Sequence, residues 1–209
     1  MIEIIQNFIT FFYDVQGLIR LAGYAGLFAI VFAETGLFFG FFLPGDSLLI
    51  TAGLFAARGD LDIAMLILLL IPAAVIGDAV GYSFGRKVGP PLFKRRHSVL
   101  FHPEHLMAAK EFYEKHGGKT IVLARFVPFI RTFAPIVAGV AGMRYRDFAV
   151  FNIAGGALWV CTTLLIGYLL GNIPGVAENI HVAILLIIAA SFIPIVYEFA
   201  RRERGRKKR

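Results

Sequence analysis

Long apolar runs that contain very few charges are the feature that most constrains the fold of this chain. Residues 21–57 cover 37 positions with only two charged side chains, Glu34 and Asp46. A membrane-spanning helix needs about 20 apolar residues, so this run is long for one span and short for two. Charged residues make up 17% of the chain, against about 25% in soluble domains. A soluble globular fold is therefore not expected.

Three plainer apolar runs, at 63–85, 148–171 and 181–200, predict ordinary membrane spans. Residues 1–16 predict an amphipathic helix at the membrane interface. The N-terminus lacks the basic start and small-residue cleavage site of a secretory signal, so we expect no cleavage.

The two most basic segments, 86–119 and 201–209, bear on how often the chain crosses the membrane. The first has eight basic and three acidic residues, net +5, and the second has seven basic and one acidic, net +6. Basic segments favour the cytoplasmic face. Three full crossings would place these segments on opposite sides, so we expect one of the three hydrophobic regions between them to enter the membrane and return to the same side. Region 121–142 is the candidate, since its prolines and arginines suit broken backbone that is buried in protein.

The hydrophobic regions show a repeat with an offset of 86 residues. Ala52-Gly53 recurs as Ala138-Gly139, and the glycine pair of 81–85 recurs in 167–171. Two re-entrant hairpins, at about 34–57 and 121–142, would be broken at Pro44, Gly45, Pro128 and Pro135. The sequence thus predicts an all-α integral membrane protein, with an inverted repeat of a re-entrant hairpin plus a transmembrane helix and additional spans. A chance origin of these few glycine-rich identities stays open.

Five ionisable side chains fall at membrane depth: Glu34, Asp46, Asp78, Arg125 and Arg131. A charge there costs about 2.5–3.5 kcal/mol on insertion scales, so each is a candidate functional residue. Arginine stays charged and presents a planar fork of donors that suits phosphate. Carboxylates beside a buried cation can be tuned to exchange protons. The set indicates an anion site with a proton-responsive partner, and ion pairs that only lock the hairpins together are the alternative.

From about residue 23 to 171, the sequence resembles the DedA family, the membrane proteins with the SNARE-associated or VTT domain. The most specific part of the resemblance is the hairpin with two arginines. The matching residues are Glu34, Phe42-Leu43-Pro44-Gly45-Asp46, Gly77-Asp78, Gly81-Tyr82, Gly85-Arg86, Arg125-Phe126, Pro128, Arg131, Ala138-Gly139, Phe148, Asn152, Gly155-Gly156, Trp159, Gly167-Tyr168 and Gly171.

The resemblance implies two re-entrant hairpins and a role in lipid transport. Bacterial members recycle undecaprenyl phosphate with the proton motive force, and eukaryotic relatives scramble phospholipids. By position, Arg125 and Arg131 match the arginine pair of the family, expected to bind the phosphate. Glu34 and Asp46 match its acidic pair, expected to couple protons. Asp78 matches a motif position to which we assign an accessory role only.

We therefore predict a flippase-like transporter of a lipid phosphate in the inner membrane, multi-pass, with the C-terminus and 86–119 in the cytoplasm. A single membrane domain would cover 17–200. Expected partners are polyprenyl phosphate or phospholipid, protons, and anionic lipid at the basic tail 201–209. Nucleic acid is not expected, and a homo-oligomer stays open.

Other chemistry finds little support in the sequence. The histidines of 86–119 lack the partners of a zinc site, segment 113–120 lacks the first glycine of a phosphate-binding loop, and no serine-nucleophile motif is present. We expect no enzymatic activity, metal or cofactor. Two alternatives remain: a non-transporting assembly protein, and a proton-coupled exporter of small cations or drugs. The paired arginines disfavour the exporter, because they would repel a cation.

Overall fold

A computed structural model describes residues 15–37, 43–93, 117–179 and 182–186 of the chain. Within these ranges the chain is helical or in short turns and bends, with no strand. The helices are α1 (Val15–Gly36), α2 (Gly45–Ala57), α3 (Ile63–Phe93), α4 (Lys119–Ala124), α5 (Pro128–Val140), α6 (Tyr145–Gly171) and α7 (Pro174–Glu178). The all-helical prediction is thus confirmed for the described residues.

Helices α3 and α6 are long and apolar enough to cross a membrane, over Ile63–Val88 and Tyr145–Gly171. These segments contain the predicted spans 63–85 and 148–171. Helix α3 continues beyond the predicted span to Phe93, because hydropathy locates the end of an apolar surface and not the last backbone hydrogen bond. Helices α2 and α5 have only 13 residues each, about 20 Å at 1.5 Å per residue, which is shorter than a bilayer core of about 30 Å.

Several predicted segments fall outside the described residues. They are 1–14 of the predicted interfacial helix, 94–116 of the basic segment, most of the span at 181–200, and the tail 201–209. Residues 15 and 16, assigned to the interfacial helix from the sequence, belong to α1.

The chain divides into two compact units. The described residues of the first unit lie in 15–23, 44–63 and 163–186, and those of the second lie in 24–43 and 64–162. One boundary falls at Gly23, where α1 is kinked at φ +51°. This is the left-handed region that glycine adopts without steric penalty.

In the first unit, α2 crosses the last part of α6 with direct backbone contact. A Cβ atom on Gly53 would lie 2.2 Å from the carbonyl oxygen of Leu164 and 2.8 Å from the nitrogen of Tyr168. A Cβ atom on Gly167 would lie 2.0 Å from the carbonyl oxygen of Ile50. Glycine is required at both positions because any side chain would overlap backbone atoms that cannot move aside.

In the second unit, α5 crosses α3 in the same manner. A Cβ atom on Gly139 would lie 2.1 Å from the carbonyl oxygen of Tyr82 and 2.8 Å from the nitrogen of Arg86. A Cβ atom on Gly85 would lie 2.1 Å from the carbonyl oxygen of Ile136. This crossing fixes the register of α5 on α3, and with it the position of Arg131 near the start of α5.

A buried aromatic cluster holds the far end of α5 in place. The hydroxyl of Tyr82 donates a hydrogen bond to the carbonyl oxygen of Met143, in the turn after α5. The Tyr82 ring stacks on Phe148 of α6 with centroids 4.4 Å apart. Helix α3 is thereby tied both to the end of α5 and to the start of α6.

The prolines expected to break the hairpins behave differently from one another. Helix α2 begins directly after Pro44, with Gly45 as its first residue, and α5 begins at Pro128. At Pro135 the expected break is absent, because this residue lies inside α5. Membrane proteins tolerate an internal proline where neighbouring helices enclose the backbone, and Pro135 is buried.

Candidate functional site: a buried cluster of two arginines and two carboxylates

The break between α4 and α5 places two arginines inside the second unit. Arg125 directly follows the last residue of α4, and Val127 is extended (φ −114°, ψ 107°). Pro128 then starts α5, as its fixed φ favours at a first helical position. Arg131 follows in the first turn of α5. The two arginines are 3% and 8% exposed, which is unusual for a residue that is always charged.

Arg125 is bound by an acid and an amide from two different helices. Its Nη2 donates to Oδ2 of Asp78 on α3 and to Oδ1 of Asn152 on α6. The Nδ2 of Asn152 donates in turn to the carbonyl oxygen of Val75, 3.0 Å away and one turn before Asp78. These bonds form a closed ring through α3, Arg125 and α6.

Two glycines of α6 make room for the Arg125 side chain. A Cβ atom on Gly155 would lie 3.2 Å from the Cδ of Arg125 and 3.4 Å from its Nε, and one on Gly156 would lie 3.5 Å from its Nη2. The guanidinium therefore lies against the backbone of α6.

Arg131 has a carboxylate and an aromatic ring as partners. Its Nη2 donates to Oε1 of Glu34, near the end of α1, and its guanidinium carbon lies 5.0 Å from the centroid of the Trp159 ring on α6. Glu34 is fully buried. The face of an indole ring attracts a cation, and more strongly when water is excluded.

The two ion pairs belong to one electrostatic cluster. Asp78 lies within range of the charge of Arg131 as well as that of Arg125. Arg125 likewise interacts with Arg131 and with Glu34 in addition to Asp78. The two positive and two negative groups balance, which is how buried charges are tolerated. The cluster can exchange one negative partner for another without a net change in buried charge.

The structure thus brings together four of the five ionisable residues singled out in the sequence. Asp78, which we expected to be accessory, is the carboxylate bonded to Arg125. The fifth residue, Asp46, lies in the first turn of α2 in the first unit, and it is half-buried.

Two members of the site received no role from the sequence: Asn152 and Trp159. Both were among the residues of the family resemblance, but an amide and an aromatic residue in a membrane helix are ordinary by themselves. The signal that identifies them is spacing, because Asn152, Gly155, Gly156 and Trp159 recur at intervals of three and four and so share one face of α6. Among the described residues, no group of three His, Cys, Asp or Glu side chains is arranged to hold a metal ion.

Comparison with known proteins gives a consistent set of relatives. The VTT domain family matches residues 43–169. Protein DedA of Escherichia coli (strain K12) is 49% identical over 184 residues, which cover 87% of this chain and 84% of that protein. Uncharacterized membrane protein ML0287 of Mycobacterium leprae (strain TN) is 44% identical over 179 residues, with 86% and 80% covered. Inner membrane protein YqjA of Escherichia coli (strain K12) is 39% identical over 153 residues, with 72% and 69% covered. No solved structure gives a significant match to this chain.

Proposed function

We propose, from the premise that this chain belongs to the DedA family of VTT-domain membrane proteins, that it carries a lipid phosphate such as undecaprenyl phosphate across the membrane. The protein acts as a flippase-like transporter and not as an enzyme. Only the charged head of such a lipid needs a path through protein, because the tail remains in hydrocarbon. A small membrane domain is therefore sufficient.

The observation that carries this proposal is that a buried arginine, Arg125, has a hydrogen-bond donor without an acceptor in the part of the chain that the structure describes. The Nε of Arg125 is buried and has no hydrogen-bond acceptor among the described residues. Leaving such a group unsatisfied costs about 1–3 kcal/mol, and more for a charged group. A phosphate oxygen is an acceptor of matching charge, and arginine binds phosphate through paired, charge-assisted hydrogen bonds. The start of α5 beside the cluster adds the partial positive charge of a helix N-terminus, which in transporters faces anionic groups.

In the proposed cycle, the lipid phosphate competes with the carboxylates for the arginines. When phosphate binds, Glu34 loses its cationic partner and takes up a proton, which keeps the buried charge balanced. Release of that proton on the other side of the membrane lets the carboxylate recapture Arg131 and expel the phosphate. Asp46, the second acidic residue of the family pattern, takes part in the same proton exchange.

The proposal includes the two re-entrant hairpins at about 34–57 and 121–142 as an inverted repeat. The short lengths of α2 and α5 support it, as does the charge of the segments 86–119 and 201–209, which we place in the cytoplasm. In a Cys161→Ser background, cysteines at positions 117 and 145 should both be labelled from the cytoplasm, and one at 175 from outside. Labelling of 117 and 145 from opposite faces would contradict the hairpin.

The transport activity can be tested with purified protein in vesicles that contain a labelled polyprenyl phosphate. We expect the parent to move the lipid between leaflets. Arg125→Lys and Arg131→Lys should each lower the rate by about tenfold or more, since a point charge cannot reproduce a bidentate contact. Arg144→Lys serves as the control, because Arg144 is exposed and pairs only with its neighbour Asp147 among the described residues.

Each alternative predicts a different result in this assay. A non-transporting assembly protein gives no lipid movement above that of empty vesicles. A cation exporter moves a cationic dye but no lipid phosphate. If both lysine variants transport at the parent rate, the arginines do not bind phosphate in the proposed way.

A further inference from the structure

We infer that Thr132 supplies a third phosphate-binding group, a hydroxyl donor beside Arg125 and Arg131. This inference rests on the proposed function and assigns one more residue to its site. It starts from the observation that Thr132 is 2% exposed and that its Oγ1 has no hydrogen-bond partner among the described residues.

Among the described residues, Thr132 on α5 and Thr51 on α2 both have a buried hydroxyl without a hydrogen-bond partner. Of the two, only Thr132 lies on a helix that contributes a residue, Arg131, to the charge cluster. Other hydroxyls on the described helices do have partners. The hydroxyl of Thr35 donates to the carbonyl oxygen of Val31 at 3.0 Å, that of Ser83 to Ala79 at 2.7 Å, and that of Thr162 to Leu158 at 2.7 Å. Each is satisfied by a carbonyl one turn earlier on its own helix, a common arrangement for serine and threonine in helices. Thr35 is the buried example, whereas Ser83 and Thr162 make this bond at exposed positions. The hydroxyl of Thr132 makes no such bond. It is a buried donor without an acceptor, which is the condition in which a ligand acceptor is favoured.

The register of α5 on α3 places Thr132 at the charge cluster. Thr132, Pro135, Ile136 and Gly139 follow the spacing of one helix face. The last three contact α3 between residues 81 and 86: Pro135 and Ile136 lie beside Gly81, and Gly139 contacts the backbone of Tyr82. Lower residue numbers on α5 meet lower numbers on α3. Extended by one turn before Pro135, this register leads from Gly81 toward Asp78 on α3, and from Pro135 to Thr132 on α5.

Contacts of α1 support this placement independently. A Cβ atom on Gly36 would lie 3.0 Å from the Cα of Gly77, the residue before Asp78. Two residues earlier on α1, Glu34 accepts the hydrogen bond of Arg131, the neighbour of Thr132. The end of α1 thus contacts the centre of α3 at Gly77 and the first turn of α5 at Arg131, the residue before Thr132.

The chemistry of this group suits a phosphate oxygen. The two arginines contribute charged donors, and a hydroxyl adds a neutral donor without further charge that the site would have to balance. A neutral hydroxyl also does not compete with Glu34 or Asp78 for the arginines. We therefore expect Thr132 to bind the anion and to contribute nothing to the fold.

Thr132→Val tests the inference, because valine keeps the shape and removes only the hydroxyl. The purified full-length protein is melted with increasing short-chain polyprenyl phosphate, and in a second series with inorganic phosphate, since a ligand of the folded state raises the melting temperature. Without ligand, the variant should melt at or above the parent temperature, because a buried hydroxyl without a partner is removed. With ligand, it should need about tenfold more polyprenyl phosphate for half of the maximal increase. Thr162→Val is the matched control and should titrate like the parent.

The outcomes separate this inference from the proposed function. Stabilisation of the parent by the lipid but not by inorganic phosphate identifies a lipid headgroup as the ligand, and stabilisation by both identifies phosphate itself. If Thr132→Val titrates like the parent, or melts well below it without ligand, the inference is wrong while the transport proposal stands. If neither ligand stabilises the parent, the phosphate site itself is wrong.

Discussion

The two units contain the same helix crossing, but only one of them has a described cluster of buried charges at it. In the first unit, Gly53 meets Leu164 and Tyr168, and in the second, Gly139 meets Tyr82 and Arg86 at nearly identical distances. In the first unit, the crossing elements, α2 and 163–171, contain a single charged residue, Asp46. In the second, α5 and α3 carry Arg131 and Asp78 into the cluster.

The comparison shows that the helix crossing does not depend on the buried ion pairs, because it occurs in both units and the described buried ion pairs occur in one. Close backbone contact between glycines holds a short helix against a long one without help from ion pairs, as in other membrane proteins. The ion pairs are therefore an addition to a scaffold that already packs. Buried ion pairs contribute little net stability compared with well-packed apolar residues, so their presence in one crossing only favours a functional role.

The largest effect we expect comes from removing either glycine of this shared packing. Gly53→Ala and Gly139→Ala each place a methyl group within about 2.2 Å of a backbone oxygen. Each should lower the free energy of unfolding by about 1–3 kcal/mol or more, and each should reduce the yield of folded protein in detergent. Thermal melting and size-exclusion profiles measure both effects.

Gly175→Ala is the control, because a Cβ atom there would meet nothing within 4 Å. Equal losses for Gly53→Ala and Gly139→Ala would show that the two crossings are equivalent scaffolds. Parent-like melting of either variant would contradict the close backbone contact in that unit.

An intermediate effect on transport is expected from neutralising the two predicted proton-coupling residues, Glu34 in the second unit and Asp46 in the first. Glu34→Gln and Asp46→Asn mimic protonated carboxyl groups, and the glutamine keeps an oxygen that can accept from Arg131. Both variants should bind the lipid head at least as well as the parent. Both should turn over about tenfold more slowly and lose the pH dependence of transport, because the proton can no longer leave to reset the site. Binding and transport rates between pH 5 and 9 check this.

The structural alternative makes the opposite prediction for these acidic variants. If Glu34 serves only to neutralise Arg131, its replacement leaves a buried arginine without a countercharge and should cost about 3–5 kcal/mol of stability. A large loss of stability with unchanged pH dependence would support only the structural role. An effect of Glu34→Gln without one of Asp46→Asn would confine proton exchange to the second unit.

The smallest effect should come from a neutral member of the cluster. Asn152→Asp keeps the size of the side chain, adds a negative charge beside Arg125 and replaces the donor that bonds the carbonyl oxygen of Val75. The new carboxylate competes with phosphate, so we expect several-fold weaker binding of the lipid head, about 1 kcal/mol. Asn172→Asp in the first unit is the matched control, because Asn172 is exposed, follows the last residue of α6 and donates to the carbonyl oxygen of Tyr168 in that helix. Equal binding by Asn152→Asp and the parent would contradict the proposed role of Arg125.

The sequence predicted features that depend on local chemistry. The apolar runs located α3 and α6, and the low tolerance of the bilayer for charge singled out the four ionisable residues that the structure brings together. Proline indicated where α2 and α5 begin. It failed at Pro135, because a proline inside a helix and one that starts a helix look alike until the neighbouring helices are known.

Features that depend on how helices pack were beyond the sequence. In the sequence, the glycines of the two repeats are related by an offset of 86 residues. The short helices α2 and α5 keep this offset, because Ile50 and Ile136, which are 86 residues apart, make equivalent contacts with a glycine of the long helix. The long helices α3 and α6 are instead related by an offset of 82 residues. Gly167 of α6 contacts the backbone of Ile50, and the residue of α3 that makes the equivalent contact, with Ile136, is Gly85 and not Gly81. A shift of one helical turn leaves the pattern of glycines nearly unchanged, yet it decides which side chains meet. The pairing of Asp78 and Asn152 with Arg125 therefore needed the structure.

The proline inside α5 has a mechanical consequence. Proline has no backbone N–H, so the hydrogen bond from residue 135 to the carbonyl oxygen of residue 131 cannot form. The first turn of α5, which carries Arg131, is thus joined to the rest of the helix by one bond fewer than elsewhere, and bending there requires less energy than in an uninterrupted helix. Beyond Pro135, the Gly139 crossing and the Tyr82 bond to Met143 hold the other end of α5 fast. The C-terminal end of α5 is therefore fixed, whereas its first turn, which carries the charged side chain of Arg131, can bend relative to it.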